Sequence, residues 1–229
     1  MKLLVLDTST EYCSAALWLD GQVRARRVHA DQQHSSLLLP MVDELLRESG
    51  CRLRQLDGIA YGAGPGSFTG LRIACAVTQG LAFGADLPVV GVSTLESIAE
   101  QTGADKVLTV LDARMAEVYW AAYQRESNGW RCVAAPALAR PESVTVPAGG
   151  DWIGAGNGFS ALGDVLQPQL ASRLIRIDDS LVPDAAAMAP LAAAAFGRGE
   201  ATDAALAAPV YLRDKVALTV DERRARRIA

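Results

Sequence analysis

Histidine and cysteine are scarce. The 229 residues hold two histidines, His29 and His34, and four cysteines, Cys13, Cys51, Cys75 and Cys132. The cysteines stand far apart among apolar neighbours and no Cys-x-x-Cys occurs, which argues against a disulfide framework and a zinc site. Buried, reduced thiols in a cytoplasmic protein are the expectation. His34 opens a predicted helix with no acid, cysteine or second histidine at ligand spacing, so it reads as a surface or cap residue. No serine–histidine pairing can be read either. An excess of basic charge is also missing, with a net charge of −4 and a pI near 5.3. A protein that grips nucleic acid by charge alone is thereby disfavoured. Long apolar runs are missing too. Leu3 to Leu6 stops at Asp7, too short for a signal-peptide core. Ala185 to Phe196 falls short of the roughly 20 residues of a membrane span and carries Pro190 in its middle, so no membrane association is expected.

What remains is 50% apolar and 21% charged. A chain of this length buries roughly 70–75% of its unfolded surface and needs neither metal nor disulfide to hold a core. Met1 to His29 reads as a three-stranded meander: Leu3 to Leu6, Cys13 to Leu19, and Gln22 to His29 after the Asp20-Gly21 turn. A helix from about His34 to Glu48 follows, with Ser35 and Ser36 as caps and Pro40 in its first turn or kinking it. Then come a strand at Gly58 to Tyr61, a glycine-rich turn, a helix from Phe68 to Phe83, a strand at Pro88 to Val92, and a helix opened by the capping-box pattern Ser93 to Glu96.

The order then restarts. Lys106 to Leu111 ends in Asp112 as Leu3 to Leu6 ended in Asp7, and Glu117 to Tyr123 and Gly129 to Val133 complete a second meander. Strands at Trp152 to Gly154 and Arg173 to Ile177 alternate with helices at Phe159 to Leu166 and Asp184 to Phe196. This is the pattern of an α/β chain built by internal duplication. The expected lobes are residues 1–103 and 104–229, with the final segment packing back on the first lobe. The tail from Asp221 to Ala229, with Arg223, Arg224, Arg226 and Arg227, reads as a solvated end.

The strongest local feature is Gly62-Ala63-Gly64-Pro65-Gly66-Ser67-Phe68-Thr69-Gly70-Leu71-Arg72, which joins a strand to a helix. Free backbone N–H groups and a helix dipole meet there, a geometry able to cradle phosphate or carboxylate. The alternative is a tight turn with Ser67 as helix cap. No lysine follows, so it is no Walker A loop. The preceding meander and the position of Asp86 reject a dinucleotide fingerprint. Asp7, Thr8 and Ser9 close the first strand. In a duplicated fold Asp7 and Asp112 would face each other across an interlobe cleft and hold Mg²⁺ through water, with Gly64, Gly66 and Ser67 on one side and Gly154 and Gly156 on the other. The plainer alternative makes these hairpin and Asx-turn residues. Finally, the helices at His34–Glu48 and Phe68–Phe83 carry more apolar surface than one buried face needs. Either the fold covers both sides or another protein does.

Taken together, Leu6-Asp7-Thr8-Ser9-Thr10, His34-Ser35 with Leu38-Leu39-Pro40, the glycine-rich block, Gly91-Val92-Ser93-Thr94-Leu95, Asp112-Ala113-Arg114 with Glu117-Val118-Tyr119, and Pro209-Val210-Tyr211-Leu212-Arg213 resemble the TsaB (YeaZ) family. The matches run from residue 3 to about residue 218. The resemblance implies the duplicated RNase-H-like architecture of the actin, sugar kinase and Hsp70 superfamily, two lobes each with a mixed sheet flanked by helices. It implies a part in attaching threonylcarbamoyl to the adenosine beside the tRNA anticodon. The transfer itself would belong to a paralogue, TsaD, with which this chain would form a heterodimer, joined by a TsaE-like ATPase and meeting tRNA through the complex. TsaD binds metal through His-x-x-x-His, whereas the aligned stretch here is Thr94-Leu95-Glu96-Ser97-Ile98. The resemblance therefore implies a non-catalytic scaffold with no metal and no cofactor of its own, ATP and Mg²⁺ belonging to the assembled complex.

The partner surface it implies comprises His34, Leu37, Leu38, Met41 and Leu45 with Phe68, Leu71, Arg72, Cys75, Ala76 and Gln79. The same surface would close a homodimer when the chain is alone. The competing expectations are an independent ATP- and Mg²⁺-dependent enzyme working in the interlobe cleft, or a peptidase, which an older classification of the family suggests and for which no triad or metal set is readable.

Overall fold

Alternation along the first strand sets the layers. In the computed structural model, which describes residues 1–213, β1 (Lys2–Asp7) turns Leu4 and Leu6 to one face of its sheet and Leu3 and Val5 to the other. All four are fully buried. Both faces of the strand therefore need a cover, as a central strand of an α/β sheet does. It pairs antiparallel with β2 (Tyr12–Leu19), which pairs with β3 (Gln22–His29), and parallel with β4 (Gly58–Gly64), which pairs with β5 (Val89–Ser93). The order is β3-β2-β1-β4-β5.

The second sheet repeats it. β6 (Lys106–Asp112), β7 (Val118–Glu126), β8 (Gly129–Ala139), β9 (Trp152–Ala155) and β10 (Leu174–Asp178) assemble in the order β8-β7-β6-β9-β10. The antiparallel and parallel pairings fall at the same places. The expected duplication is thus present as topology, and the fold is the duplicated RNase-H-like one.

On one face of the first sheet lie α1 (His34–Ser49) and α2 (Phe68–Ala85). On the outer face of the second sheet lie α4 (Gly158–Ala161) and α5 (Gly163–Leu170). The remaining two helices cross over. α3 (Thr94–Gln101) follows the first sheet in sequence, yet Leu95, Ile98 and Ala99 pack with Val107, Leu111 and Ala121 of the second. α6 (Ala185–Gly197) follows the second sheet, yet Ala185, Met188, Ala189 and Ala192 pack with Leu3, Val5, Ala60 and Val90 of the first. The two sheets are formed by residues 2–93 and 106–178, while α3 and α6 are exchanged between them. Small residues on α6 let it lie close to β1.

Described residues after α6 return to the first sheet. Thr202 exchanges two backbone hydrogen bonds with Val89, the Tyr61 hydroxyl bonds Ala208, and the Val210 N–H donates to the Ala63 carbonyl at 2.7 Å. The arginine-rich stretch Asp221 to Ala229 lies outside the described residues. No helix among the described residues is long and apolar enough to cross a membrane.

Several local expectations need correction. α1 is capped by Gln33, without a side-chain bond, and not by Ser35 or Ser36. Pro40 sits at the seventh position, past the first turn, where Ser36 and Pro40 are both exposed and the carbonyl that Pro40 cannot bond faces water. The helix expected at Phe159–Leu166 is two, broken at Leu162. β8 runs six residues further than expected, and Cys132 on it is exposed and not buried.

Because α6 depends on small side chains, Ala189→Leu should cost about 1–3 kcal/mol of unfolding free energy. Urea denaturation measures this; an unchanged midpoint would mean that α6 is not seated tightly on β1.

Candidate functional site

Asp7, Thr8 and Ser9 at the end of β1 meet the glycine-rich turn between β4 and α2 backbone to backbone. The Ser67 N–H donates to the Ser9 carbonyl at 2.7 Å, and the Thr8 hydroxyl donates to the Gly70 carbonyl at 2.6 Å. A Cβ on Gly66 would stand 2.6 Å from the Ser9 carbonyl oxygen, and one on Gly70 only 1.8 Å from that of Thr8. The glycines admit the neighbouring turn to the very start of α2. Ser67 caps that helix through its side chain, accepting from the Gly70 N–H. The block is therefore a tight turn with Ser67 as the helix cap.

Asp7 is sealed inside. Alternation places it on the same face as Leu3 and Val5, toward the start of α6, and it has no exposed surface. Its Oδ2 accepts from the Ser9 hydroxyl at 3.0 Å and from the Ser9 N–H, while Oδ1 has no partner. Burial pushes its pKa up to about 7, and the nearby Asp184 carboxylate pushes the same way. The Ser9 hydrogen bonds and Arg27 act in opposition.

A cleft of about 550 Å³ opens between the lobes beside this clasp. Ser9, Gly66, Ser67 and Asp112 line it; Asp7, Thr8, Gly64, Gly154 and Gly156 do not. The last three are buried, Gly64 at the end of β4, Gly154 within β9 and Gly156 just after it. Asp112 pairs with the Arg114 guanidinium at 3.1 Å and accepts from the Arg114 N–H, while its own N–H donates to Asn157 Oδ1. As folded, the two strand-closing aspartates do not present paired carboxylates to the cleft, so the residues present do not fit a Mg²⁺ ion held between them. The His34 ring also lines it, and its Nε2 donates to the Thr10 carbonyl, which leaves that nitrogen no role as a base toward a serine.

The over-apolar helices resolve into a covered and an open side. Leu38, Met41 and Leu45 of α1 and Leu71 and Cys75 of α2 are buried by the chain itself. Placing these five on a partner surface is corrected accordingly: Leu38, Met41, Leu45 and Cys75 lie in the core cluster that includes Leu4 and Leu6, and Leu71 is buried at the wall of the cleft. Leu37 is half-buried against the same core. His34 and Phe68 are half-buried beside the cleft, and Gln79 donates to the Ala207 carbonyl.

Arg72 and Ala76 are exposed, and so are Gly80 and Phe83. Phe83 is 63% exposed, and Leu39 on α1 is 47% exposed. Along its 18 residues α2 carries one charge, Arg72. That guanidinium lies 3.6 Å from the Phe68 ring centroid and donates to the Tyr211 hydroxyl at 2.9 Å. The signal that would have found the open side is the spacing of Arg72, Ala76, Gly80 and Phe83, opposite the buried Leu71, Ala74, Cys75, Thr78 and Ala82.

Comparison with known proteins is informative at this point. A family model described as TsaD, tRNA N6-adenosine threonylcarbamoyltransferase, matches residues 28–219. The tRNA threonylcarbamoyladenosine biosynthesis protein TsaB of Escherichia coli K12 is 43% identical over 225 residues, covering 95% of this chain and 96% of that protein. The structure of YeaZ from Pseudomonas aeruginosa is 44% identical with a TM-score of 0.86, covering 92% of this chain and 99% of that one. The chain belongs to the TsaB (YeaZ) family. A TsaB from Haemophilus influenzae is similar over the same span, at 36% identity. Thr94 and Ile98, which stand where the sequence resemblance places the histidine pair of TsaD, are both fully buried. The Thr94 hydroxyl donates to the Pro65 carbonyl and Ile98 lies in the core of the second sheet.

Two predictions follow from the clasp and the sealed acid. Gly70→Ala should destabilise by about 2 kcal/mol or more, since backbone must move. Gly80→Ala, with open space around it, should stabilise by about 0.5–1 kcal/mol; urea midpoints moving in the same direction would contradict the clasp. For Asp7, the unfolded carboxyl titrates near about 4, so between there and about 7 the native state holds a proton that the unfolded state has released. Its contribution to stability therefore falls as pH rises through that window. Asp7→Asn should match the parent near pH 4 and exceed it by about 1–3 kcal/mol at pH 8. A difference independent of pH in paired thermal melts would contradict the raised pKa.

Proposed function

We propose that this chain serves the synthesis of threonylcarbamoyladenosine in tRNA as a subunit without catalysis of its own, acting in the cytoplasm by pairing α1 and α2 with a TsaD-like paralogue. The observation that carries the pairing is the open side of α2. Ala76 and Gly80 allow close helix–helix approach, Phe83 and Leu39 supply apolar area, and the only charge on α2 is Arg72, already stacked and hydrogen-bonded. Such a face suits the apolar core of a lasting interface. The relatives named TsaB support the process, and a complex with a TsaD-like partner fits those names and the TsaD family model. On this reading a TsaE-like ATPase and tRNA meet the chain in the assembled complex, and ATP and Mg²⁺ belong to that assembly. Alone, the chain would close the same face against a second copy.

The alternative of an independent ATP- and Mg²⁺-dependent enzyme is less well supported, because Asp7 does not reach the cleft.

The test uses an exposed residue, since Leu38→Asp would place a charge in the core and unfold the chain. Ala76→Arg should leave the melting temperature within a few degrees of the parent and abolish the summed-mass species formed with the TsaD-like paralogue in size-exclusion chromatography with light scattering. A complex that survives Ala76→Arg and Phe83→Asp together would contradict this assignment.

A further inference from the structure

The turns that close β1 and β6 are counterparts in the duplication, but they are held differently. The first is clamped by its own lobe, through Ser67 and Gly70. The second, Ala113 to Glu117 between β6 and β7, has three consecutive non-glycine residues in the left-handed region, Arg114, Met115 and Ala116, at φ of 62°, 59° and 57°. L side chains avoid this conformation, and such runs persist only where surrounding contacts over-determine them. Asp112 holds the start of the turn from within, at the Arg114 N–H. Two backbone bonds close it, the Ala113 N–H donating to the Glu117 carbonyl at 3.0 Å and the Glu117 N–H to the Arg114 carbonyl at 3.1 Å, and one side chain from far along the chain ties it to the other lobe.

That side chain is Arg213. Its guanidinium donates to the Ala113 carbonyl at 3.0 Å, lies 2.8 Å from a Glu117 carboxylate oxygen, and touches Met115 Sδ at 3.3 Å. A planar fork with five donors can span carbonyl and carboxylate through separate nitrogens, where an ammonium presents a single one. Arg213 is only 14% exposed, whereas Arg114 is 81% exposed. The backbone carrying Arg213 comes from the opposite lobe. Val210 is bonded to Ala63 of β4, Tyr211 packs on Phe68 at 5.2 Å between ring centroids and accepts from Arg72, and Leu212 already packs with the core of the second sheet. Within four residues the chain crosses from one lobe to the other at the mouth of the cleft.

We propose that Arg213 is a latch: it pins the strained Ala113–Glu117 turn of the second lobe to the strap on the first, and its withdrawal lets the turn relax and the mouth of the cleft open. This concerns the isolated chain and does not rest on the proposed partner.

Arg114, exposed within the turn, makes the latch measurable by trypsin, with fragments identified by mass. In Arg213→Met the native-state rate of cleavage after Arg114 should rise about tenfold, because cleavage follows the population of the opened turn. Cleavage after Arg125 and Arg131 and the melting temperature should stay as in the parent. Glu117→Gln, which leaves the carbonyl contact, and Arg213→Lys, which keeps the charge but not the fork, should give smaller increases at the same bond. An unchanged rate after Arg114 in Arg213→Met would overturn the proposal. So would a rise at all three sites together, which would make Arg213 a general stabiliser.

Discussion

The contact on which the rest depends is the meeting of two backbones, the Asp7-Thr8-Ser9 turn and the start of α2, with no side chain between them at Gly66 and Gly70. Close packing of this kind leaves no adjustment. It fixes where α2 begins and therefore how the helix lies on the sheet. That in turn decides that Leu71, Ala74, Cys75 and Ala82 are inside while Ala76, Gly80 and Phe83 are outside. The same contact builds one wall of the interlobe cleft, through Ser9, Gly66 and Ser67.

Duplication supplies two lobes of one topology, and the differences between them carry the functional reading. The acid that closes β1 is buried with an unpartnered oxygen, while the acid that closes β6 lines the cleft in an ion pair with Arg114. One turn is clasped by glycines of its own lobe and the other by an arginine that arrives from the strap. The exchange of α3 and α6 across the boundary means that neither lobe has a complete core of its own. The strand-closing acids do not face each other across the cleft, and the apolar side of α2 is left as a feature that the internal packing does not use.

Much of this was legible in the residues. Alternation, turn dipeptides and caps placed nearly all the strands, and the recurrence of an aspartate at the end of a first strand pointed to the repeat. Ser67, Ser93 and Asp184 cap helices where such residues should. The failures have physical causes. A helix with two adjacent apolar stripes does not reveal which one meets the sheet, and on α1 the answer, Leu38, Met41, Val42 and Leu45, depends on the register of strands far away in sequence. Pro40 is tolerated because the carbonyl it frees faces water. The latch was not legible at all, since Arg213 and Glu117 are 96 residues apart in sequence and only the crossing of the strap brings them together.

The proposed pairing puts function on the open side of α1 and α2 and not in the cleft between the lobes. Hydrogen–deuterium exchange of the chain alone and mixed with the TsaD-like paralogue separates the two. New protection is expected across His34–Ser49 and Phe68–Ala85. Protection confined to the cleft, at Thr10, Asp112 to Met115 and Asn157, with both helices unchanged, would contradict it.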